Sequence, residues 1–246
     1  MLQGFFVWGR EVRRVVLSGV DLQRQTLRLY GELIARRESW AGQLVFAYGA
    51  GSSATGLPAA VSIAGGTSLL LDPDSAAVKS VFRQGGVDFV VNTLDEALRV
   101  LKNEIRKHRP LSVALEGAVE PAIEEMRERG VLPDLQVSVG EELGHELKLG
   151  VERLQVAGEG DVLIPSAPLE AWLTERGWRE VVLERASTLE MRELDARLLA
   201  LFPEGDVVRR TWVQRIGHYQ RVVAGGARVV WLTETERAAV EGAVAV

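Results

Sequence analysis

Gly49, Gly51, Ser52, Ser53 and Asp72 are the residues of this 246-residue chain whose types and spacing best suit a chemical task. The two glycines sit in the turn Gly49-Ala50-Gly51-Ser52-Ser53-Ala54, directly after the apolar run Leu44-Val45-Phe46-Ala47-Tyr48. Glycine at the first position allows a tight turn out of a strand. At the second it leaves room for a pyrophosphate to approach backbone N–H groups where a helix begins. Ser52 and Ser53 can donate to a phosphate or cap that helix. Ala54 stands where a third glycine is usual and is small enough for close helix-to-strand packing. Asp72 follows Gly51 by 21 positions (72 − 51), near the roughly 20-residue offset at which a carboxylate accepts ribose hydroxyls. The chemistry implied is the binding of NAD or a related nucleotide. The bland alternative is a small-residue turn in an α/β fold that binds nothing.

The elements around these residues have the matching order. A helical segment runs through Ala59 to Ala64, and a second apolar strand, Thr67 to Leu71, ends on Asp72. Asp21 is expected to cap a preceding helix to about Arg37, with Leu22, Leu29, Leu33 and Ile34 at helical spacing and Arg24, Arg28, Glu32 and Arg36 elsewhere. After Asp72 the pattern alternates. A helix from Asp74 ends near Gly85-Gly86, and strand Val87 to Val91 precedes a helix to Lys107. Strand Leu111 to Leu115, helix Val119 to Arg129 and strand Leu135 to Val139 follow. The fold class is therefore α/β, a Rossmann-like doubly wound parallel sheet.

The remainder reads as a smaller, less regular α/β part. Glu146 to Ala157 suggests one or two antiparallel strands, Asp161 to Ile164 another, and Gly158-Glu159-Gly160 a hinge. Helices are expected at Pro168–Arg176, Thr188–Leu201, Val207–Ala224 and Glu234–Ala243, with strands at Glu180–Leu183 and Arg228–Leu232. Residues 1–18 read as one or two strands. The domain reading is 1–140 for a nucleotide-binding region with an N-terminal extension, and 141–246 for a part that completes or caps the sheet.

Composition excludes several functions. With 29 basic and 34 acidic residues the net charge is −5, and no long basic run exists to follow a phosphate backbone, so nucleic acid is not an expected partner. Zero cysteines exclude disulfides, thiolate metal sites and cysteine nucleophiles. Apolar Leu2 to Trp8 precedes Arg10, Arg13 and Arg14, the reverse of a signal peptide, and no apolar run reaches membrane-spanning length. A cytoplasmic protein without a membrane partner is the expectation.

Other constellations carry less. His108, His145 and His218 are too scattered for a metal site. His108 ends a helix, as a charge partner would. His145 follows the fifth strand, Glu116 the fourth and Asn92 the third, so each is a pocket candidate or an ordinary loop residue; His145 and Glu116 are the candidates for catalysis. Arg209, Arg210, Arg215, His218 and Arg221 share one helix, as an anion site or a solvated face. Trp172, Trp178, Trp212 and Trp231 suit a core or a subunit interface.

From Gly19 to Asp134 the chain resembles the urocanate hydratases (urocanases). Gly42-Gln43-Leu44-Val45 leads into the turn. Gly49, Gly51 and Pro58 fall where that family's Gly-Leu-Gly-Gly-Met-Gly-Gly-Ala-Gln-Pro loop has Gly, Gly and Pro. Ile63-Ala64-Gly65-Gly66, Asp72, Leu94-Asp95-Glu96-Ala97-Leu98, Arg109-Pro110-Leu111-Ser112 and Arg129-Gly130-Val131-Leu132-Pro133-Asp134 continue the likeness in order. The resemblance implies a nucleotide domain holding NAD⁺, whose nicotinamide serves that family as an electrophile rather than a hydride acceptor.

The departures fall on chemistry. Ser138-Val139-Gly140-Glu141 replaces the family's Asp-Gln-Thr-Ser, Gly117-Ala118 its Gly-Asn, Leu57 its loop glutamine, and Trp231-Leu232-Thr233-Glu234 its Tyr-Gly-Asn-Asn. The family's catalytic domain is expected to have no counterpart here. The expectation is a self-associating NAD binder without urocanate hydratase activity. The alternatives are a divergent NAD-dependent lyase or oxidoreductase acting on a small imidazole-like substrate, and a structural or interaction remnant that binds nothing.

Overall fold

The computed structural model describes residues 18–49, 55–139, 151–156, 158–159, 162–219 and 226–242. The expected strands in residues 1–18, the turn residues Gly51, Ser52, Ser53 and Ala54, and His145 and Arg221 lie outside them, Ser18 excepted. The elements in chain order are α1 (Gly19–Arg36), β1 (Leu44–Tyr48), α2 (Leu57–Ile63), β2 (Thr67–Asp72), α3 (Ser75–Arg83), β3 (Phe89–Val91), α4 (Leu94–Arg106), β4 (Leu111–Glu116), α5 (Val119–Glu128) and β5 (Leu135–Val139). Then come β6 (Glu152–Val156), β7 (Gly158–Glu159), β8 (Val162–Leu163), α6 (Ala167–Glu175), β9 (Arg179–Glu184), α7 (Thr188–Leu201), α8 (Val207–Tyr219), β10 (Ala227–Leu232) and α9 (Glu234–Gly242).

Strands β1 to β6 form a parallel sheet in the order β3-β4-β2-β1-β5-β6. This is the expected Rossmann-like α/β sheet. Every residue of β1 and β2 is buried, which is why both read as unbroken apolar runs. Helices α2 and α3 pack on the face carrying Val45, Ala47, Leu70 and Ala114. Helix α4, with Leu94, Ala97, Leu98 and Leu101 buried, packs with α5 on the other face. Two faces covered by successive crossovers is the doubly wound pattern.

Two strand expectations need correction. Glu152–Val156 is parallel to β5, not part of an antiparallel pair, with Val137 opposite Leu154. Its alternation of buried Leu154 and Val156 with exposed Arg153 and Gln155 imitates a half-exposed hairpin, but it instead extends the open side of the sheet. Of the expected hinge, Gly158 and Glu159 are strand β7, paired antiparallel with β8.

Helix α1 joins the two parts of the chain. Its N-cap is Ser18 and not the expected Asp21: the Ser18 hydroxyl accepts from the Asp21 backbone N–H, and Asp21 sits in the first turn. On one side α1 packs on α2, and on others it meets β10, α6 and α8. Being enclosed, it buries polar residues that a simple amphipathic pattern would place outside, and two of them, Gln23 and Glu32, bond to the C-terminal part. The Gln23 amide donates to the Ala227 carbonyl (2.8 Å) and accepts from Val229 N–H (3.0 Å), closing the free edge of β10. Glu32 accepts from Ser166 through both N–H (2.7 Å) and hydroxyl (2.8 Å), at the start of α6. Arg24 and Arg28 both pair with Glu180 on β9.

Gly31 shows how closely α1 packs. A Cβ there would stand 2.8 Å from both Leu169 Cδ1 and Trp231 Cη2. Gly31→Ala gains about 1 kcal/mol of helix propensity, but overpacking costs about 1–3 kcal/mol, and the Trp231 ring is buried and cannot retreat. A lowered thermal midpoint is expected in a circular dichroism melt; an unchanged or raised one would show that α1 and Trp231 are not in contact.

Candidate functional site

The carboxyl ends of the strands bring the sequence candidates into one row. In register, Val91 lies beside Leu115, Glu116 beside Asp72, and Tyr48 beside Leu71. Asn92, Glu116, Asp72 and Gly49 therefore follow one another along this edge on β3, β4, β2 and β1, about 4.8 Å per strand step. Gly49 has φ +83°, a left-handed conformation suited to glycine, and donates to the Leu71 carbonyl at 2.8 Å. Among the described residues, a Cβ on Gly49 would meet nothing within 4 Å.

Asp72 is 7% exposed. One carboxylate oxygen accepts from Asp74 N–H at 2.6 Å, which holds the side chain at the strand end, and its carbonyl accepts from Gly117 N–H at 3.0 Å. Glu116 and Asn92 are exposed, and Asn92 N–H is tied to Glu96 at the start of α4.

Strand order also locates the crevice. From β1 the chain crosses to β2 on one side, whereas β5 lies on the other side of β1 and leads on to β6. Crossovers diverging from two neighbouring strands leave a gap at their carboxyl ends, where ligands of such sheets bind. Asp72 is one strand from that gap. Glu116 and Asn92 are two and three strands from β1, on the side away from β5.

Helix α2 starts at Leu57 with Gly56 at its N-cap and no side-chain cap bond, and its seven residues are all buried. Backbone donors closer to Gly49 belong to residues 50–54, outside the described residues. A left-handed glycine at the end of β1 and a carboxylate fixed at the next strand end suit a dinucleotide. Among the described residues no cluster of acids and histidines could hold a metal ion, and no helix is long and apolar enough to cross a membrane.

Residues 24–140 match the family model of the Urocanase Rossmann-like domain. The match makes this region similar to the urocanase nucleotide domain. In the matched region much of the sequence likeness is scaffold. Gly42 has φ +76°, and a Cβ there would stand 2.9 Å from His108 Nδ1. Gly65 has φ +91°, and a Cβ on Gly66 would stand 3.1 Å from Trp40 Cβ. Asp134 accepts from Leu44 N–H at 2.7 Å and returns its own N–H to the Leu44 carbonyl at 2.8 Å, aligning β5 with β1. Ser112 donates to Asp88 through N–H and hydroxyl, both at 2.8 Å, fixing the entry to β3. These contacts lie at the amino ends of the strands; Gly49 and Asp72 lie at the other end.

The arginines of α8 differ from a solvated face. Arg209 is buried, bonded to Asp206 (2.5 Å) and to both oxygens of Glu236 (2.6 and 3.0 Å), with Trp178 and Phe202 rings 4.4 and 4.2 Å from its guanidinium carbon. Arg210 donates to the Leu199 and Phe202 carbonyls. Arg215 reaches the end of α2. The Asp-x-x-Arg spacing of Asp206 and Arg209 was the available signal for the first of these. The tryptophans are core as expected: Trp212 and Trp231 are fully buried and stack with Tyr30 at 5.8 and 6.4 Å, while Trp172 and Trp178 are half-buried beside them. His108 ends α4 with φ 54° where glycine is usual, its N–H donating to the Ile105 carbonyl.

Proposed function

We propose that this protein binds NAD or a closely related dinucleotide along the carboxyl edge of its sheet and, as an isolated chain, does not hydrate urocanate. The observation that carries this reading is Asp72 held at the end of β2, one strand from the left-handed Gly49 at the end of β1. In it, Gly49 and Gly51 admit the pyrophosphate, Ser52 and Ser53 donate to it, and Asp72 accepts the ribose hydroxyls. Since Asp72 lies on the β2 side of β1, the nicotinamide half extends toward β5 and the residues after it, His145 included. Glu116, farther out on the β2 side, then belongs to the adenosine end, which leaves His145 the better candidate for chemistry. Bound NAD would supply an electrophilic or hydride-accepting ring. Ser138 and Val139 stand where urocanases carry an Asp-Gln pair, which supports binding without hydration.

Mass spectrometry of small molecules released from the purified, denatured protein tests this. NAD should appear, and the native protein should leave the urocanate absorbance unchanged. Urocanate turnover would move the protein to the lyase reading. Absence of any nucleotide, together with no response to added NAD⁺, would leave the scaffold reading.

We also read the chain as self-associating. Among the described residues β3 pairs only with β4, and Phe89 and Val90 on it are 54% and 39% exposed, beside Phe82 at 48%. An unpaired edge with exposed apolar side chains favours a second strand. Sedimentation should show a dimer for the wild type and a monomer for Phe89→Lys; a wild-type monomer at micromolar concentration would contradict this.

A further inference from the structure

At the amino ends of the strands, opposite the nucleotide edge, a cavity of about 930 Å³ opens between α1, α2, α6 and α8. Ile34 and Ile63 contribute apolar surface, and Trp172 and Trp178 line it together, ring centroids 5.3 Å apart and nearly perpendicular. Two guanidinium groups also line the cavity, Arg176 and Arg215. They differ from the buried arginines in what holds them. Arg209 is matched to Asp206 and Glu236, and Arg228 to Asp195.

Arg215 is held by neutral main-chain carbonyls at the end of α2, those of Ser62 (3.4 Å) and Ile63 (3.1 Å). Arg176 donates to the Trp172 carbonyl at 3.1 Å and stands 4.3 Å over the Trp172 ring. Its carboxylate neighbour Glu175 is 3.9 Å away and 76% exposed. Asp206 faces the same cavity but is bonded to Arg209, which leaves Glu38 as the other acid of the lining. Among the described residues, Arg215 thus has no carboxylate partner and Arg176 has only the distant, exposed Glu175. The negative end of the α2 dipole is already met by Arg215.

A fixed guanidinium favours a carboxylate, sulfonate or phosphate oxygen. The volume and the apolar, aromatic lining favour a larger body than an inorganic anion, within the range of small-molecule pockets. We propose that this cavity is a binding site for a small organic anion with a planar aromatic body, separate from the nucleotide edge. The anionic group meets Arg176 and Arg215, and the ring lies against the tryptophans and the aliphatic floor.

The test uses the whole chain and two probes of similar shape, the anionic 8-anilinonaphthalene-1-sulfonate and the neutral N-phenyl-1-naphthylamine. The sulfonate should bind once per chain and shift the indole N–H signals of Trp172 and Trp178 in the nitrogen-correlated NMR spectrum. The neutral probe should bind about tenfold more weakly, as should the sulfonate to Arg176→Gln. Arg176 is exposed, so this variant should keep the wild-type circular dichroism, whereas Arg215→Gln would also loosen α2. Four results would overturn the proposal: equal binding of the neutral probe, sulfate competing as tightly as the sulfonate, indole signals that stay in place on binding, or displacement of the sulfonate by NAD⁺. None of these depends on whether the nucleotide edge is occupied.

Discussion

Asp72→Asn is expected to weaken NAD⁺ binding by roughly 10- to 100-fold without unfolding the protein. Hydrogen bonds to a charged group contribute about 1.5–3 kcal/mol, and each 1.4 kcal/mol is about tenfold in affinity. Asparagine keeps an oxygen that can accept the Asp74 N–H now bonded to Asp72 at 2.6 Å, so the turn after β2 survives while the charge is lost. Asp72→Ala removes both, and a loss of binding there would mix the ribose contact with a disturbed turn. Calorimetric titration of wild type and Asp72→Asn separates the two. Equal affinities would remove Asp72 from the site. Tighter binding of NADP⁺ by Asp72→Asn than by wild type would support it, because a carboxylate at this position repels a 2′-phosphate.

Arg209→Met should cost about 3–5 kcal/mol of stability, the loss typical of breaking a buried ion pair from one side. Arg209 links two helix starts. Asp206 accepts its backbone N–H at 3.1 Å in the first turn of α8, and Glu236 accepts Thr233 N–H at 2.8 Å at the head of α9. Without the guanidinium both carboxylates remain in a largely enclosed site, and Trp178 and Phe202 lose the cation between them.

The pH dependence follows from Glu236. Burial raises its pKa, but hydrogen bonds from Arg209 and Thr233 outweigh that and hold the carboxyl below the ordinary glutamate value. A folded-state pKa below the unfolded one contributes stability above the unfolded value of about 4.3, and that contribution disappears as pH falls through the folded value. Urea denaturation should therefore show a large drop in midpoint for Arg209→Met at pH 7 and a smaller gap from wild type in strong acid. A change below about 1 kcal/mol at pH 7, as for an exposed pair, would mean that the network is open to water.

How much of this was legible before the structure depends on how local the signal is. The strands and helices from Leu44 to Val139 were readable because buried parallel strands are continuous apolar runs, and because α4 places Leu94, Ala97, Leu98 and Leu101 on one face. Gly49 and Asp72 could be put side by side from spacing alone, since one crossover between neighbouring strands separates them. The side of the sheet on which Glu116 lies was not readable. It depends on β4 inserting between β3 and β2, a long-range choice that leaves no mark on the local pattern.

The same limit applies to α1. Its Leu spacing indicated a helix with Glu32 off the apolar face, but the partners of Glu32 and Gln23, namely Ser166, Ala227 and Val229, lie more than 130 positions away. Burial of Arg209 was hidden likewise, its acids being three residues before it and 27 after. The cavity at the amino ends is assembled from five separated segments, and no one of them carries a motif.

In the proposed function the carboxyl edge, and not the opposite end, holds the dinucleotide. The most direct measurement is a nitrogen-correlated NMR spectrum of the assigned chain with and without NAD⁺. Backbone signals of Gly49, Gly51, Ser52, Ser53 and Asp72 to Asp74 should move together and saturate, while Gly65, His108 and the indole of Trp178 stay in place. Unmoved signals at Gly49 and Asp72, or shifts confined to the amino-end residues, would contradict it.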